Sequence, residues 1–206
     1  DCVEAFGSKY KGNYTGNLGT DVTIFSFQTV RLPNTIDGGG IVFKDSDLYK
    51  KALLTRDFGI RRDIFRDENN EISAKCDISL LGYGATMSDM NSYIGCCQMD
   101  EIMMLLESQQ RNARRWDAII EQTYPRFYRL NQRDEIQPNY WVYGFLCDRK
   151  IEVMLDFRKQ GYYASGVHLN NNCYSVFGNT EKLCGVNDFM KKFVAIPCGW
   201  WLNLNL

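Results

Sequence analysis

Short apolar runs alternate with glycine-rich polar stretches in the first quarter of the chain. Val22 to Phe27 and Gly40 to Phe43 read as strands, and the Gly38-Gly39-Gly40 triplet before the second lets the backbone turn sharply. Asp1 to Ala5 has a strand-like context, and Gly7 to Gly19 reads as a hairpin or loop. Leu48, Ala52 and Leu53 have the spacing of an amphipathic helix over Asp47 to Thr55, with Ser46 as its N-cap. Phe58 to Ala74 is rich in Asn, Asp and charge and predicts a surface excursion. The longest helical pattern runs from Ser88 to about Gln122, with a break expected near Gly95. Its apolar stripe is Ile94, Cys97, Ile102, Leu105, Leu106, Ala113, Trp116, Ile119 and Ile120. Pro125 ends it.

Beyond a change of composition at Arg133 to Pro138, alternation resumes. The pattern predicts strand Tyr140 to Cys147, helix Arg149 to Lys159, strand Tyr162 to His168, helix Val186 to Lys192 and strand Phe193 to Ile196. This β-α-β-α-β order after a long helix predicts a small α/β domain. The chain has no internal repeat and no low-complexity segment.

With 206 residues, 45% of them apolar, the chain is long enough for a sizeable core. Lys+Arg 24 against Asp+Glu 25 leaves a net charge of −1, so no global field favours nucleic acid or an acidic membrane surface. No apolar run reaches the ~18 residues of a membrane span, and the expectation is a soluble, cytoplasmic protein. The eight cysteines are expected to be free thiols in a reducing compartment, several of them buried in apolar runs such as Phe145-Leu146-Cys147. With no Cys-x-x-Cys and a single His, no metal site is expected.

Candidate chemistry lies in Phe25-Ser26-Phe27-Gln28-Thr29-Val30-Arg31, where a strand delivers a hydroxyl and then a cation to a loop. Further segments follow in order: Asp1-Cys2-Val3-Glu4-Ala5-Phe6-Gly7, Arg56-Asp57-Phe58-Gly59-Ile60, Gly82-Tyr83-Gly84-Ala85-Thr86-Met87-Ser88-Asp89, Gly166-Val167-His168 and Ile196-Pro197-Cys198-Gly199. Together they resemble the DegT/DnrJ/EryC1/StrS family of pyridoxal-phosphate-dependent sugar-nucleotide aminotransferases along essentially the whole chain.

The resemblance implies an α/β fold of the fold-type-I pyridoxal-phosphate transferase kind. Residues 1–97 would be the C-terminal part of a large α/β/α cofactor domain, and 98–206 a linking helix and small α/β domain. It implies pyridoxal phosphate or pyridoxamine phosphate as cofactor, and glutamate and a nucleotide sugar as substrates. It also implies a homodimer, or a missing N-terminal half as partner. Asp1 falls about midway through the family's large domain, and a last helix would normally follow Trp201. A fragment, a degenerate gene product or one piece of a split enzyme is therefore expected.

By this resemblance Asp1 is the carboxylate that keeps the cofactor ring nitrogen protonated, and Ser26 is a phosphate contact. Read without it, Asp1 is a solvated terminus and Ser26 a strand-end hydroxyl bonded to backbone. His168 lies where the family's sugar nucleotide approaches, or is a strand-end His beside a loop of Asn caps; both readings stand. Trp200-Trp201 is expected to pack at the edge of the small domain.

Three positions depart from the family pattern. Arg31 stands where the family has the lysine that forms the internal Schiff base, and a guanidinium stays protonated at physiological pH. Glu4 replaces a His or Gln that approaches the cofactor ring oxygen. Gly84 replaces an Asn that reaches the cofactor phosphate across a dimer interface. Two functions follow: an impaired aminotransferase-family polypeptide, or a non-catalytic relative acting as a binding or dimerisation module.

Overall fold

The computed structural model describes residues 1–130, 133–178 and 183–204; the expected chain end at Leu206 lies outside them. In chain order the strands are β1 (Lys9–Tyr10), β2 (Asn13–Tyr14), β3 (Val22–Ser26) and β4 (Gly39–Phe43), followed by helices α1 (Ser46–Arg56), α2 (Asp89–Met99) and α3 (Ile102–Thr123). Then come β5 (Tyr128–Arg129), β6 (Ile136–Gln137), β7 (Val142–Leu146), α4 (Lys150–Lys159), two short 3-10 turns, α5 (Cys184–Lys192) and β8 (Phe193–Pro197). The chain forms two compact units, Asp1–Phe6 with Asn13–Asp100, and Gly7–Gly12 with Glu101–Leu206.

In the first unit β3 and β4 form an antiparallel pair, with Val22 opposite Phe43 and Ser26 opposite Gly39. The expected turn is made by Gly38, whose φ of +115° suits only glycine, and by Gly39, where a Cβ would lie 2.5 Å from the Phe25 carbonyl oxygen. Ser46 is not the cap of α1. Asp45 is, its carboxylate accepting from the N–H groups of Asp47 and Leu48 at 2.9 and 2.7 Å, so the helix starts one residue earlier. None of the α1 side chains is buried among the described residues, so the apolar spacing seen in sequence has no full core contact here. Residues 58–74 form the expected surface excursion, closed by Asp67, whose carboxylate accepts from the backbone of Asn69 and Glu71. Asp1 to Ala5 is a turn and not a strand: Ala5 N–H bonds the Cys2 carbonyl at 3.0 Å, and Cys2 N–H bonds the Ile24 carbonyl at 2.9 Å.

The long helical pattern is two helices. Ser88 caps α2 by accepting from Asn91 N–H, and the break falls at Asp100 and Glu101, not at Gly95. Two adjacent carboxylates oppose the dipole at the end of α2 and suit the start of α3. Cys97 is exposed and leaves the stripe, whereas Ile102, Leu105, Leu106, Ala113, Trp116 and Ile120 are buried as expected.

The main core lies in the second unit, where β5, β7 and β8 form an antiparallel sheet with β7 central. Trp116 of α3 packs its ring against Tyr162 at 5.0 Å and Phe157 at 6.1 Å, and its indole N–H donates to the Pro197 carbonyl at 2.9 Å. Two buried polar side chains of α3 also grip the chain: Asn112 donates to the carbonyls of Gly199 and Leu202, and Gln109 to that of Asn139. The expected strand Tyr162 to His168 is absent. Only Ser165 pairs with the sheet, through both bonds to Ala195 of β8, and Val167 adopts a φ of 59° that no strand permits. Trp200 and Trp201 lie edge to face on each other, yet both rings stay exposed rather than packing into the unit.

Of the eight cysteines, only Cys147 and Cys198 are buried, so the expected burial of several holds for these two. Burial raises both thiols, Cys198 to about 12. Thiolates are the reactive form. Titration of the native protein with an aromatic disulfide reagent is therefore expected to leave Cys147 and Cys198 unmodified until urea is added, and peptide mapping checks it.

Candidate active site

Arg31 sits on a loop whose base is closed by backbone bonds from Phe27 N–H to the Gly38 carbonyl (2.9 Å) and from Thr35 N–H to the Phe27 carbonyl (2.8 Å). Thr35 is buried, and its hydroxyl lies 2.6 Å from the Asp37 carbonyl and 3.2 Å from that of Phe27. Leu32 and Pro33 are buried beside it, joined by a cis peptide bond. Arg31 N–H donates to the Gln28 carbonyl at 2.8 Å, which fixes the start of its side chain.

The helix α2 holds this loop from one face. Asn91, Gly95 and Gln98 are spaced i, i+4, i+7 and so share a stripe. The Asn91 amide donates to the Asp37 carbonyl, a Cβ on Gly95 would lie 2.7 Å from the Thr35 methyl, and the Gln98 amide oxygen accepts from Asn34 N–H. Gly95, expected from the sequence to break the helix, is instead a point of close approach, and the polar-Gly-polar spacing around it is the signal of that role.

The Arg31 guanidinium reaches Glu4, with Nη2 3.2 Å from the carboxylate Oε1; their side chains are 14% and 30% exposed. Phe6, next to this turn, lies edge-on to Phe25 at 5.4 Å and to Phe27 at 6.2 Å. Ser26 ends β3, its hydroxyl oxygen accepting from Gln28 N–H at 3.4 Å and its proton left to donate. Asp1 is exposed, one carboxylate oxygen accepting from Val3 N–H at 3.0 Å. The Cys2–Ile24 bond sets Asp1 and Glu4 beside the strand that carries Ser26. Four predicted site residues thus lie in the first unit around β3 and the loop that follows it.

His168 belongs to the second unit, exposed and stacked on Trp141 with ring centroids 6.3 Å apart. It lines an open groove of about 1020 Å³ with Asn170, Asn172, Tyr174 and Phe177. Near the third departure, Gly84 pairs with Asp57, and a Cβ on Gly84 would lie 2.4 Å from the Phe58 ring. The aromatic ring covers the glycine, so an Asn there would displace it.

A pyridoxal-type cofactor fits some of these residues and not others. A hydroxyl with a free proton at Ser26 and a carboxylate at Asp1 suit its phosphate and ring nitrogen. At position 31 a guanidinium, already on a carboxylate, does not suit covalent attachment.

A sugar aminotransferase from Micromonospora echinospora superposes with a TM-score of 0.88 at 26% identity over 98% of this chain and 53% of that one. A protein from Actinomadura melliaura does so with a TM-score of 0.86 at 27% identity, again over 98% and 53%. The fold is therefore the fold-type-I arrangement of the sugar aminotransferases, a mixed α/β class. The chain belongs to the DegT/DnrJ/EryC1/StrS aminotransferase family, whose model matches residues 1–203. Among relatives, the UDP-4-amino-4,6-dideoxy-N-acetyl-beta-L-altrosamine transaminases of Helicobacter pylori and Campylobacter jejuni are 25% and 26% identical, each over 99% of this chain and 54% of its own length. The chain spans about half the length of the relatives it matches. Among the described residues no helix is long and apolar enough to cross a membrane.

Proposed function

We propose that this chain serves amino transfer from glutamate to a keto-deoxysugar nucleotide, for surface polysaccharide or antibiotic sugars, and that the covalent half of that chemistry is impaired as the chain is written. Family membership along the chain supports the reaction class, and the observation that carries the impairment is Arg31 seated on Glu4. Pyridoxal phosphate, when bound, supplies an electron sink and an aldehyde that takes up and releases the amino group. In this reading the Asp1 carboxylate holds a proton on the ring nitrogen, the Ser26 hydroxyl donates to the phosphate, and the His168 groove receives the nucleotide sugar. Residues 1–97 are assigned to the large cofactor domain and 98–206 to the linking helix and small domain, acting in the cytoplasm as a homodimer or with a separate N-terminal half.

The Arg31–Glu4 contact equally favours a second reading, a non-catalytic relative that retains a binding or dimerisation role. Cofactor spectra test the proposal. Pyridoxal phosphate mixed with the chain is expected to keep the absorption of its free aldehyde and to leave on dialysis. A persistent imine band in the dialysed protein would contradict the impairment.

A further inference from the structure

We propose that the outer edge of β4 is a docking edge for a strand from the half of the family fold that this chain does not span, supplied as a separate polypeptide. The proposal rests on the reading above that a separate N-terminal half takes part, and it names the surface which that half occupies.

Lys44 N–H donates to the Asp21 carbonyl and Phe27 N–H to the Gly38 carbonyl, each at 2.9 Å, at the two ends of the β3–β4 pair. Ladder bonds in an antiparallel pair fall on every second residue. Thr23, Phe25, Gly40 and Val42 therefore bond across the pair, and the backbone groups of Val22, Ile24, Gly39, Ile41 and Phe43 point away from it. The Ile24 carbonyl does so, accepting from Cys2 N–H. On the β4 side no described residue bonds the backbone of Gly39, Ile41 or Phe43. Charge, proline or a bulge blunts an exposed edge. Gly39-Gly40-Ile41-Val42-Phe43 has none of them.

The side chains beside this edge are uncovered as well. Val22, Ile24 and Ile41 share one face of the pair and are 41%, 39% and 56% exposed. Among the described residues of the first unit, only Thr23, Leu32, Pro33, Thr35 and Gly59 are buried. A two-stranded pair with so little core is marginal in water, and a further strand with an apolar face stabilises it. Length and charge choose the occupant. This chain covers 53% of the Micromonospora structure, so nearly as much of that fold again lies outside the matched part. A second copy fits less well. The register that pairs all of β4 with itself, centred on Ile41, sets Asp37 of one copy against Asp45 of the other, carboxylate to carboxylate.

The test co-expresses the 206-residue chain with the half of the Helicobacter pylori transaminase that it does not match, as a separate polypeptide. Co-purification, sedimentation and amide hydrogen exchange are read. An equimolar complex is expected, in which the N–H groups of Ile41 and Phe43 become protected. Ile41→Pro removes an outward N–H and no ladder bond, and is expected to lose the complex while the circular dichroism of the chain is unchanged. Ile41→Lys keeps the N–H and places a charge on the edge; it serves if the proline variant does not fold, and is expected to lose the complex too. Three results would overturn the proposal: no complex with the parent chain, a complex that leaves Ile41 and Phe43 unprotected, or one that survives both substitutions. Self-association of the chain that Ile41→Pro abolishes would overturn it as well, by assigning the edge to a second copy. The cofactor spectra are read on the chain alone, so an imine band there leaves the docking edge standing, and a failed complex leaves the impairment standing.

Discussion

Treatment with pyridoxal phosphate and then borohydride is expected to leave no stoichiometric adduct on any lysine of this chain, and Arg31→Lys is expected to introduce one at position 31. Attack on the cofactor aldehyde requires a neutral amine, which lysine reaches when desolvated and arginine, with a pKa above about 12, does not. Three other lysines of the first part of the chain are poor substitutes: Lys9 lies in β1, Lys11 in the turn that follows it, and Lys44 follows β4 on an exposed segment. Glu4 grades the outcome. A carboxylate beside the new amine favours its ammonium form, so Arg31→Lys alone should be modified more slowly than Arg31→Lys/Glu4→Gln. Mass mapping of the reduced protein reads all three. A stoichiometric lysine adduct on the parent chain would sink this prediction.

Trp116→Ala should cost about 3–5 kcal/mol, the range for deleting a large aromatic from a packed core. The ring is among the largest fully buried side chains and contacts Tyr143, Phe157 and Tyr162. Its loss also leaves the Pro197 carbonyl without its indole donor. For a chain of this size, 4 kcal/mol lowers the melting temperature by roughly 8–16 °C. Trp116→Phe, which keeps a ring and loses the N–H, is the milder companion, expected to lose about half as much. Urea unfolding followed by circular dichroism measures both; a loss below about 1 kcal/mol for the alanine variant would show that the core does not depend on this residue.

Much of the architecture was legible in the residues. The α3 stripe holds because 22 residues of helical period average out single exceptions, and β3 and β4 follow from two apolar runs separated by glycines that only a turn requires. Family membership was legible because its segments occur in order along the chain. The boundary of α1 was off by one residue because Ser46 and Asp45 are both good caps and only the carboxylate's hydrogen bonds choose between them.

The chemistry barred at position 31 was likewise settled by residue identity, since a guanidinium keeps its proton in any fold that could form. What Arg31 does instead was decided by tertiary structure. Its partner, Glu4, lies 27 positions away, and only the Cys2–Ile24 bond and the closed loop bring the two charges together. Gly95 became a contact for Thr35 instead of a helix break, and residues 162–168 formed one bridge instead of a strand, for the same reason. Local periodicity reports which face of a segment is apolar. Charge pairing, close approach of backbones and sheet membership depend on atoms that other segments supply.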